Sequence, residues 1–233
     1  YYSYGSGQGS IRMFNAALAA TPAGAEMLKG PLTADAINSE EFADAFRTVA
    51  TLDQQNGSAN SSVNANDFAA DFNNGLSAVF INGVWGASQF AGSDNFVSCI
   101  YPNSVAISSA NTGLYVANDL SDAQKELALE FIKYMTSEEV QSRYFLETSS
   151  NPINENVDIQ KLAQESGDPT ALKLAEACDK CNKADTIVLA IDVCWGNDVG
   201  GALQNKFAEC AVAGTDIEAK LAELQAELTA LIG

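Results

Sequence analysis

The 233-residue sequence contains no histidine. Because histidine is the commonest general base and a frequent metal ligand, its absence disfavours hydrolytic triads and zinc enzymes. Basic residues are also scarce: 12 lysines and arginines stand against 30 aspartates and glutamates, for a net charge of −18. So acidic a chain is repelled by phosphate backbones and by anionic membranes. We therefore expect no nucleic-acid partner.

Several motifs and patterns are missing as well. No apolar run approaches the ~18 residues that a membrane-spanning helix needs. The sequence has no nucleophile elbow, no H-E-x-x-H, no P-loop and no dinucleotide fingerprint. Acids are plentiful, but nothing sets two of them at a separation suited to glycoside hydrolysis. We therefore expect no enzymatic activity, no cofactor and no metal.

The chain begins YYSYGSGQGS, with no initiator methionine, charged n-region or apolar h-region. We therefore expect that an upstream part of the protein precedes Tyr1. The sequence leaves open whether a lipid anchor precedes that residue and whether these residues fold without the upstream part.

The stretch FNNGLSAVFINGVWGASQF, from Phe72 to Phe90, organises the rest of the chain. It predicts a helix end at Asn74-Gly75, a buried strand over Leu76–Ile81, a turn at Asn82-Gly83 and a new helix. Trp85 then lies just past the carboxyl end of a parallel strand, where open α/β sheets bind ligands. On spacing alone, the ring either fills core or meets a ligand.

Three segments carry a resemblance to a known family. F-N-N-G-L-S-A-V-F-I-N-G-V-W resembles the F-x-x-G-x-x-A-M-x-x-x-G-x-W segment of extracellular solute-binding proteins of sugar-type ABC importers (family 1, maltose-binding-protein-like). KELALEFIKYMTSEEVQSRY resembles their K-x-A-A-x-E-F-I-K-F-L-T-S-x-E-x-Q signature, and VAGTDIEAKLAELQ resembles their closing segment. The resemblance covers nearly the whole chain from about Asn38 onward and implies that an N-terminal part of the receptor is missing.

The resemblance implies an α/β, periplasmic-binding-protein-like (type II) fold, mostly the second lobe with a segment of the first. Residues 1–105 would form the first part of the second lobe, residues 106–154 a segment of the first lobe, and residues 155–233 the helical C-terminal part of the second lobe. Within this scheme, Thr112–Ala117 (TGLYVA) is a predicted strand.

The same resemblance implies the function. The protein would bind a mono- or oligosaccharide in an interlobe cleft, without chemistry, and deliver it to the membrane permease subunits of an ABC importer. It would be a monomer, located outside the cell as a cell-surface lipoprotein or in the periplasm. Two alternatives stay open: a glycan-active enzyme and a non-transport interaction module on the same fold. The sequence does not identify the sugar.

Seven residues are candidates for ligand binding. In the family, the tryptophan that matches Trp85 stacks on a pyranose ring, and Trp195 precedes a helix whose counterpart often presents an aromatic residue. Asp192 lies near that second tryptophan in the sequence, and its carboxylate is a candidate to accept hydrogen bonds from sugar hydroxyls. The remaining candidates come from matched motifs and from a tyrosine-rich rim segment; they are Gly83, Tyr2, Tyr4 and Thr112.

The five cysteines allow several interpretations. Cys178 and Cys181 form a C-x-x-C, with Cys194 and Cys210 further on and Cys99 apart. The spacings between the cysteines do not repeat, which disfavours a zinc site. The C-x-x-C follows a helix, and the negative end of the helix dipole destabilises the thiolate that a redox pair needs. We predict one or two structural disulfides among these four, with Cys99 free, although the sequence does not assign the pairing.

Overall fold

A computed structural model describes residues 2–4, 9–56, 65–89, 96–109 and 113–233 of the protein; for residues 2–4 and 65–68 it describes the backbone alone. The described strands are β1 (Tyr2–Tyr4), β2 (Val79–Ile81), β3 (Val105–Ser108) and β4 (Thr186–Leu189). The described helices are α1 (Gly9–Ala19), α2 (Pro22–Met27), α3 (Ala34–Ile37), α4 (Glu40–Asn56), α5 (Ala65–Asn73), α6 (Asp122–Met135), α7 (Glu138–Thr148), α8 (Ile159–Ser166), α9 (Pro169–Asn182), α10 (Ile191–Cys194), α11 (Asn197–Cys210) and α12 (Ile217–Ile232).

The chain divides into two compact units. The first unit comprises Tyr1–Asn82, Ile100–Ala110 and Cys181–Gly233, and the second comprises Gly83–Cys99 and Asn111–Lys180. The boundaries of these units differ from the predicted lobe boundaries, and the assignment of residues to lobes stays a prediction. None of the described helices is long and apolar enough to cross a membrane.

The described strands pair in parallel, as expected for an α/β fold. Strand β1 pairs with β2, so that Tyr4 lies opposite Ile81, and β3 pairs with β4, so that Ser108 lies opposite Leu189. The partners in each pair are far apart in the sequence because parallel strands need a long crossover connection. In both pairs the carboxyl ends of the strands lie at one edge.

Phenylalanine side chains fill the core of the first unit. The helical spacing of Phe42, Phe46 and Val49 predicts an amphipathic helix, and in α4 all three side chains are fully buried, which confirms the prediction. Phe14 of α1 meets Phe42 edge to face, with ring centroids 5.1 Å apart, and Phe207 of α11 stacks on Phe46 at 4.9 Å. Helices α1, α4, α11 and α12 thus share one apolar core.

The second unit has a smaller core. Phe145 of α7 and Leu174 of α9 are its largest buried side chains, and alanines and one cysteine surround them. The three-residue spacing of Ser121 and Gln124 predicts a capping box at the start of α6. This box is formed: the Ser121 hydroxyl accepts from the Gln124 N–H, and the Gln124 side chain accepts from the Ser121 N–H. The prediction for the start of α6 is therefore confirmed.

Helix α6 exposes much of its apolar face. The sequence predicts a packed helix here, but none of its residues is fully buried. Leu127 is 72% exposed, Phe131 54% and Tyr134 57%. These three residues lie about 20–60° apart around the helix axis, because each residue turns the helix by about 100°. They form one continuous stripe, which we call the α6 stripe.

Two strand predictions need correction. The buried strand predicted over Leu76–Ile81 is shorter, Val79–Ile81, and it is not buried, since Val79 is 52% exposed. The strand predicted over Thr112–Ala117 is absent from residues 113–117, which are irregular and include Tyr115 at 84% exposure. In both segments, β-favouring residues lack the covering layers that would have buried them.

Candidate functional site

A cluster of polar side chains lies at the carboxyl end of β4 in the first unit. Leu189 is the last residue of β4, and α10 follows from Ile191. The Asn15 side chain, which is fully buried in α1, holds this exit on both sides: its Oδ1 accepts from the Ile191 N–H at 3.0 Å, and its Nδ2 donates to the Leu189 carbonyl at 3.3 Å. Asn15 therefore fixes α1 against the carboxyl end of β4.

Arg12 and Asp192 form an ion pair at the same edge. Arg12 lies one helical turn before Asn15, and its Nη1 is 2.5 Å from Asp192 Oδ1. Both side chains are mostly covered, at 19% and 17% exposure. The hydrogen bond from Arg12 holds the pKa of Asp192 below its usual value, against the opposing effect of burial. Asp192 is therefore an ionised acceptor beside a guanidinium donor.

Trp85 is exposed on the second unit. It lies in a 3₁₀ helix, Val84–Gln89, whose turn includes a hydrogen bond from Ser88 Oγ to the Trp85 carbonyl at 3.0 Å. The Trp85 side chain is 53% exposed. One part of the ring lies against Gly83, because a Cβ built on that glycine would be 2.2 Å from ring atoms Cη2 and Cζ3. The motif glycine thus supports the indole.

Trp195 is part of the core of the first unit. Only 8% of its surface is exposed, its ring stacks on Phe42 with centroids 6.3 Å apart, and its Nε1 donates to the Met27 carbonyl at 3.3 Å. This packing satisfies both the apolar face and the polar atom of the indole. The structure therefore places Trp195 among core residues and leaves little of its ring for a ligand.

The other candidates divide between a strand and residues outside the described ranges. Tyr2 and Tyr4 belong to β1 rather than to a loop, and their side chains lie outside the described residues. Thr112 also lies outside the described residues. Gly83 contributes by supporting Trp85. Two residues that sequence reasoning missed, Arg12 and Asn15, are polar at a three-residue spacing within an otherwise apolar helix. That spacing was the available signal.

The predicted disulfides are not formed. All five cysteines carry thiols, including the exposed Cys99. Cys178 belongs to the core of the second unit, whereas Cys210 belongs to the core of the first, and Cys178 and Cys181 lie on one helix. Burial raises the pKa of Cys194 and of Cys210 to about 11, so both stay protonated at neutral pH. Among the described residues there is no acidic or cysteine cluster suited to a metal ion.

A groove of about 290 Å³ between α1 and α4 is a separate feature of the first unit. It is lined by Glu40, Glu41, Asp44 and small or hydroxyl side chains. Among the side chains that the structure describes, no predicted ligand-binding residue and no aromatic ring lines this groove. Its acidic lining is not suited to stacking a sugar.

Comparison with known proteins decides the family. A family model described as bacterial extracellular solute-binding protein matches residues 2–170. The chain belongs to this family. Its fold is accordingly a partial periplasmic-binding-like α/β fold, as the sequence predicts.

One solved structure is similar over nearly the whole chain of this solute-binding protein. It is a Streptococcus pneumoniae solute-binding protein in complex with the blood group A-trisaccharide, with 39% sequence identity and a TM-score of 0.91. The match covers 98% of the present chain but only 59% of the pneumococcal protein. The search of curated proteins gave no match.

Proposed function

We propose that this protein is the substrate-binding component of an ABC importer that captures a mono- or oligosaccharide without chemistry. The observation that carries the proposal is the exposed indole of Trp85, held by Gly83 at the position that the family motif predicts. Membership of the solute-binding family and the trisaccharide bound by the pneumococcal relative support a carbohydrate as ligand.

The chemistry of an exposed indole supports the same choice. A tryptophan ring presents a flat apolar surface, and the C–H face of a pyranose is the apolar part of a sugar. Leaving such a ring half exposed has a free-energy cost in water, because burying a large aromatic side chain is favourable. A ligand that covers the ring recovers that free energy, which is a physical reason for Trp85 to be held outward.

Several further parts belong to the same proposal. The protein would act outside the cell, as a cell-surface lipoprotein or in the periplasm, and would pass its ligand as a monomer to permease subunits. It would make and break no bond, since its relatives are binding proteins. The predicted arrangement of two lobes, with residues 106–154 in the first lobe, is also part of this proposal.

Calorimetry on the full-length protein tests the proposal. We expect saturable binding of the blood group A-trisaccharide or of another member of a sugar panel, and a ligand at 100 times its Kd should add about 2.7 kcal/mol to the free energy of unfolding. Trp85→Ala should weaken binding ten-fold or more. Tyr134→Ala is the matched control, because Tyr134 is similarly exposed at 57%.

Each rival function has its own outcome. Absence of saturable binding to every sugar in the panel would favour a non-transport interaction module and overturn the proposal. Release of free monosaccharide from a bound oligosaccharide would indicate a glycan-active enzyme instead. Unchanged affinity in Trp85→Ala, with folding intact, would remove Trp85 from the site.

A further inference from the structure

The inference concerns the ion pair at the end of β4. Arg12 lies in the first turns of α1, and Asp192 lies in the first turn of α10, which follows β4 directly. In parallel α/β sheets, ligands bind outside the carboxyl ends of the strands. The pair is therefore at the edge of the first unit where a ligand is expected.

Buried hydrogen bonds fix the two elements that carry the ion pair. Asn15, one helical turn after Arg12, is fully buried and bonded to both sides of the β4 exit. Among the described residues, Arg12 is the side chain that bonds Asp192, and it uses Oδ1. About a sixth of each side chain surface remains open. A fixed pair of this kind is preorganised, so little conformational entropy is lost when a ligand binds.

We propose that Arg12 and Asp192 bind adjacent hydroxyls of the ligand and select neutral sugars over acidic ones. A carboxylate accepts hydrogen bonds, and a guanidinium donates several in a fixed plane. Adjacent sugar hydroxyls both donate and accept, so one can give its proton to Asp192 while its neighbour accepts from Arg12. This inference rests on the proposed sugar-binding function and adds the class of sugar.

Charge gives the preference for neutral sugars. The guanidinium of Arg12 is already matched by Asp192 at 2.5 Å, so it is not an open site for a second carboxylate. A uronic or sialic acid would bring its own negative charge next to an ionised Asp192, and a like charge at close range opposes binding. The net charge of −18 acts in the same direction at longer range.

The experiment is a comparison of matched sugars on the full-length protein. Calorimetry measures the affinity of galactose against galacturonic acid, and of lactose against 3′-sialyllactose, with the blood group A-trisaccharide as a further neutral probe. Galacturonic acid carries a carboxylate in place of the C6 hydroxymethyl group of galactose, and 3′-sialyllactose adds to lactose one sialic acid residue with its carboxylate. We expect saturable binding among the neutral members and at least ten-fold weaker binding of their acidic partners.

Variants separate recognition from a purely structural role. Asp192→Asn keeps the shape of the side chain and removes its charge. The affinity of this variant for neutral sugars should be ten-fold or more lower than that of wild type. The ratio of its affinity for neutral sugars to its affinity for acidic sugars should be smaller. The second variant, Arg12→Gln, should also bind neutral sugars more weakly than wild type. The matched control is Glu218→Gln, which breaks an exposed pair with Arg47 at 2.7 Å and should leave both affinities unchanged.

The outcomes are distinguishable. Tight binding of acidic sugars would overturn the inference and leave the proposed function standing. A lower melting temperature in Asp192→Asn with unchanged Kd values would show that the pair is only structural, and would also overturn the inference. Absence of binding to any sugar would overturn both. If Asp192→Asn does not fold, the ratio of the affinities for neutral and acidic sugars, measured on the wild-type protein and on Arg12→Gln, still tests the inference.

Discussion

The ring of Trp85 lies where the side chain of any residue larger than glycine at position 83 would be. A Cβ at that position would come within 2.2 Å of the ring atoms Cη2 and Cζ3. Real Cβ atoms do not approach other heavy atoms so closely. The glycine of the family motif is thus a steric requirement for the orientation of the tryptophan.

Gly83→Ala should therefore displace the indole and weaken sugar binding about ten-fold, which corresponds to about 1.4 kcal/mol. Tryptophan fluorescence and calorimetry measure the displacement and the affinity. Gly30→Ala is the control, since a Cβ at Gly30 would meet nothing within 4 Å. Equal affinity of wild type and Gly83→Ala would show that the position of the ring does not matter for binding.

The two tryptophans should respond differently to substitution. Trp195→Ala removes a buried ring from beside Phe42 and should lower the free energy of unfolding by about 3–5 kcal/mol. Chemical denaturation measures this loss. Because Trp195 has little exposed surface, the affinity of the folded variant for sugar should stay close to that of wild type. A marked loss of affinity in a fully folded variant would contradict the assignment of Trp195 to the core.

Asn15→Leu should destabilise the first unit. The substitution leaves the buried Ile191 N–H without its acceptor and removes the donor to the Leu189 carbonyl, at an expected cost of about 1–3 kcal/mol. Gln54→Leu is the matched control, because the Gln54 amide also makes two hydrogen bonds to the backbone, donating to the carbonyls of Val212 and Thr215, but at a position that water reaches. Similar losses in both variants, measured by urea denaturation, would contradict the role assigned to burial.

The ion pair of Asp192 should make stability depend on pH in the acidic range. The pKa of Asp192 is lowered in the folded protein, chiefly by the hydrogen bond from Arg12. The contribution of the pair is therefore present above the unfolded-state pKa of about 3.9 and is lost as the pH falls through the lower folded-state value. The stability difference between wild type and Asp192→Asn should shrink over this range. A difference that is constant from pH 7 to pH 2 would argue against the pair.

The thiol state of the cysteines is directly testable. In denaturant without reductant, all five cysteines should be alkylated, as counted by mass spectrometry. In the native protein the exposed Cys99 should react first, while Cys194 and Cys210 react slowly because burial raises the pKa of each thiol to about 11. If alkylation required prior reduction, the cysteines would form disulfides, as the sequence predicts, and the thiol state would be contradicted.

The parts of the fold set by local interactions were predictable from sequence. The Ser121–Gln124 capping box needs only residues three apart, and it is formed as predicted. Gly75 ends α5 with a φ of +71°, which the Asn-Gly signal predicts. Neighbouring cap candidates were harder to separate. Thr215 and Glu218 have the spacing of a capping box, which predicts Thr215 as the cap of α12, but Asp216 caps this helix, because both side chains are good caps one residue apart.

The burial of individual aromatic residues was not predictable in the same way. Trp85 lies in the 3₁₀ helix that follows β2, and Trp195 lies between α10 and α11, yet one is exposed and the other is in the core. The difference comes from Met27 and Phe42, which are far from Trp195 in the sequence and close to it in space. The α6 stripe shows the converse, since an amphipathic pattern does not reveal whether a partner covers it. The ion pair of Arg12 and Asp192 joins residues 180 positions apart, so the spacing of polar residues in α1 could not reveal the partner of Arg12.

The discontinuous build of the first unit has a consequence for when the protein folds. Strand β4 and helices α11 and α12 come from the last quarter of the chain, but they complete a core that α1 and α4 begin. Contacts between such distant segments form slowly, because a long loop must close before they are gained. During synthesis, Phe46 of α4 therefore has no Phe207 to stack on until α11 has been made.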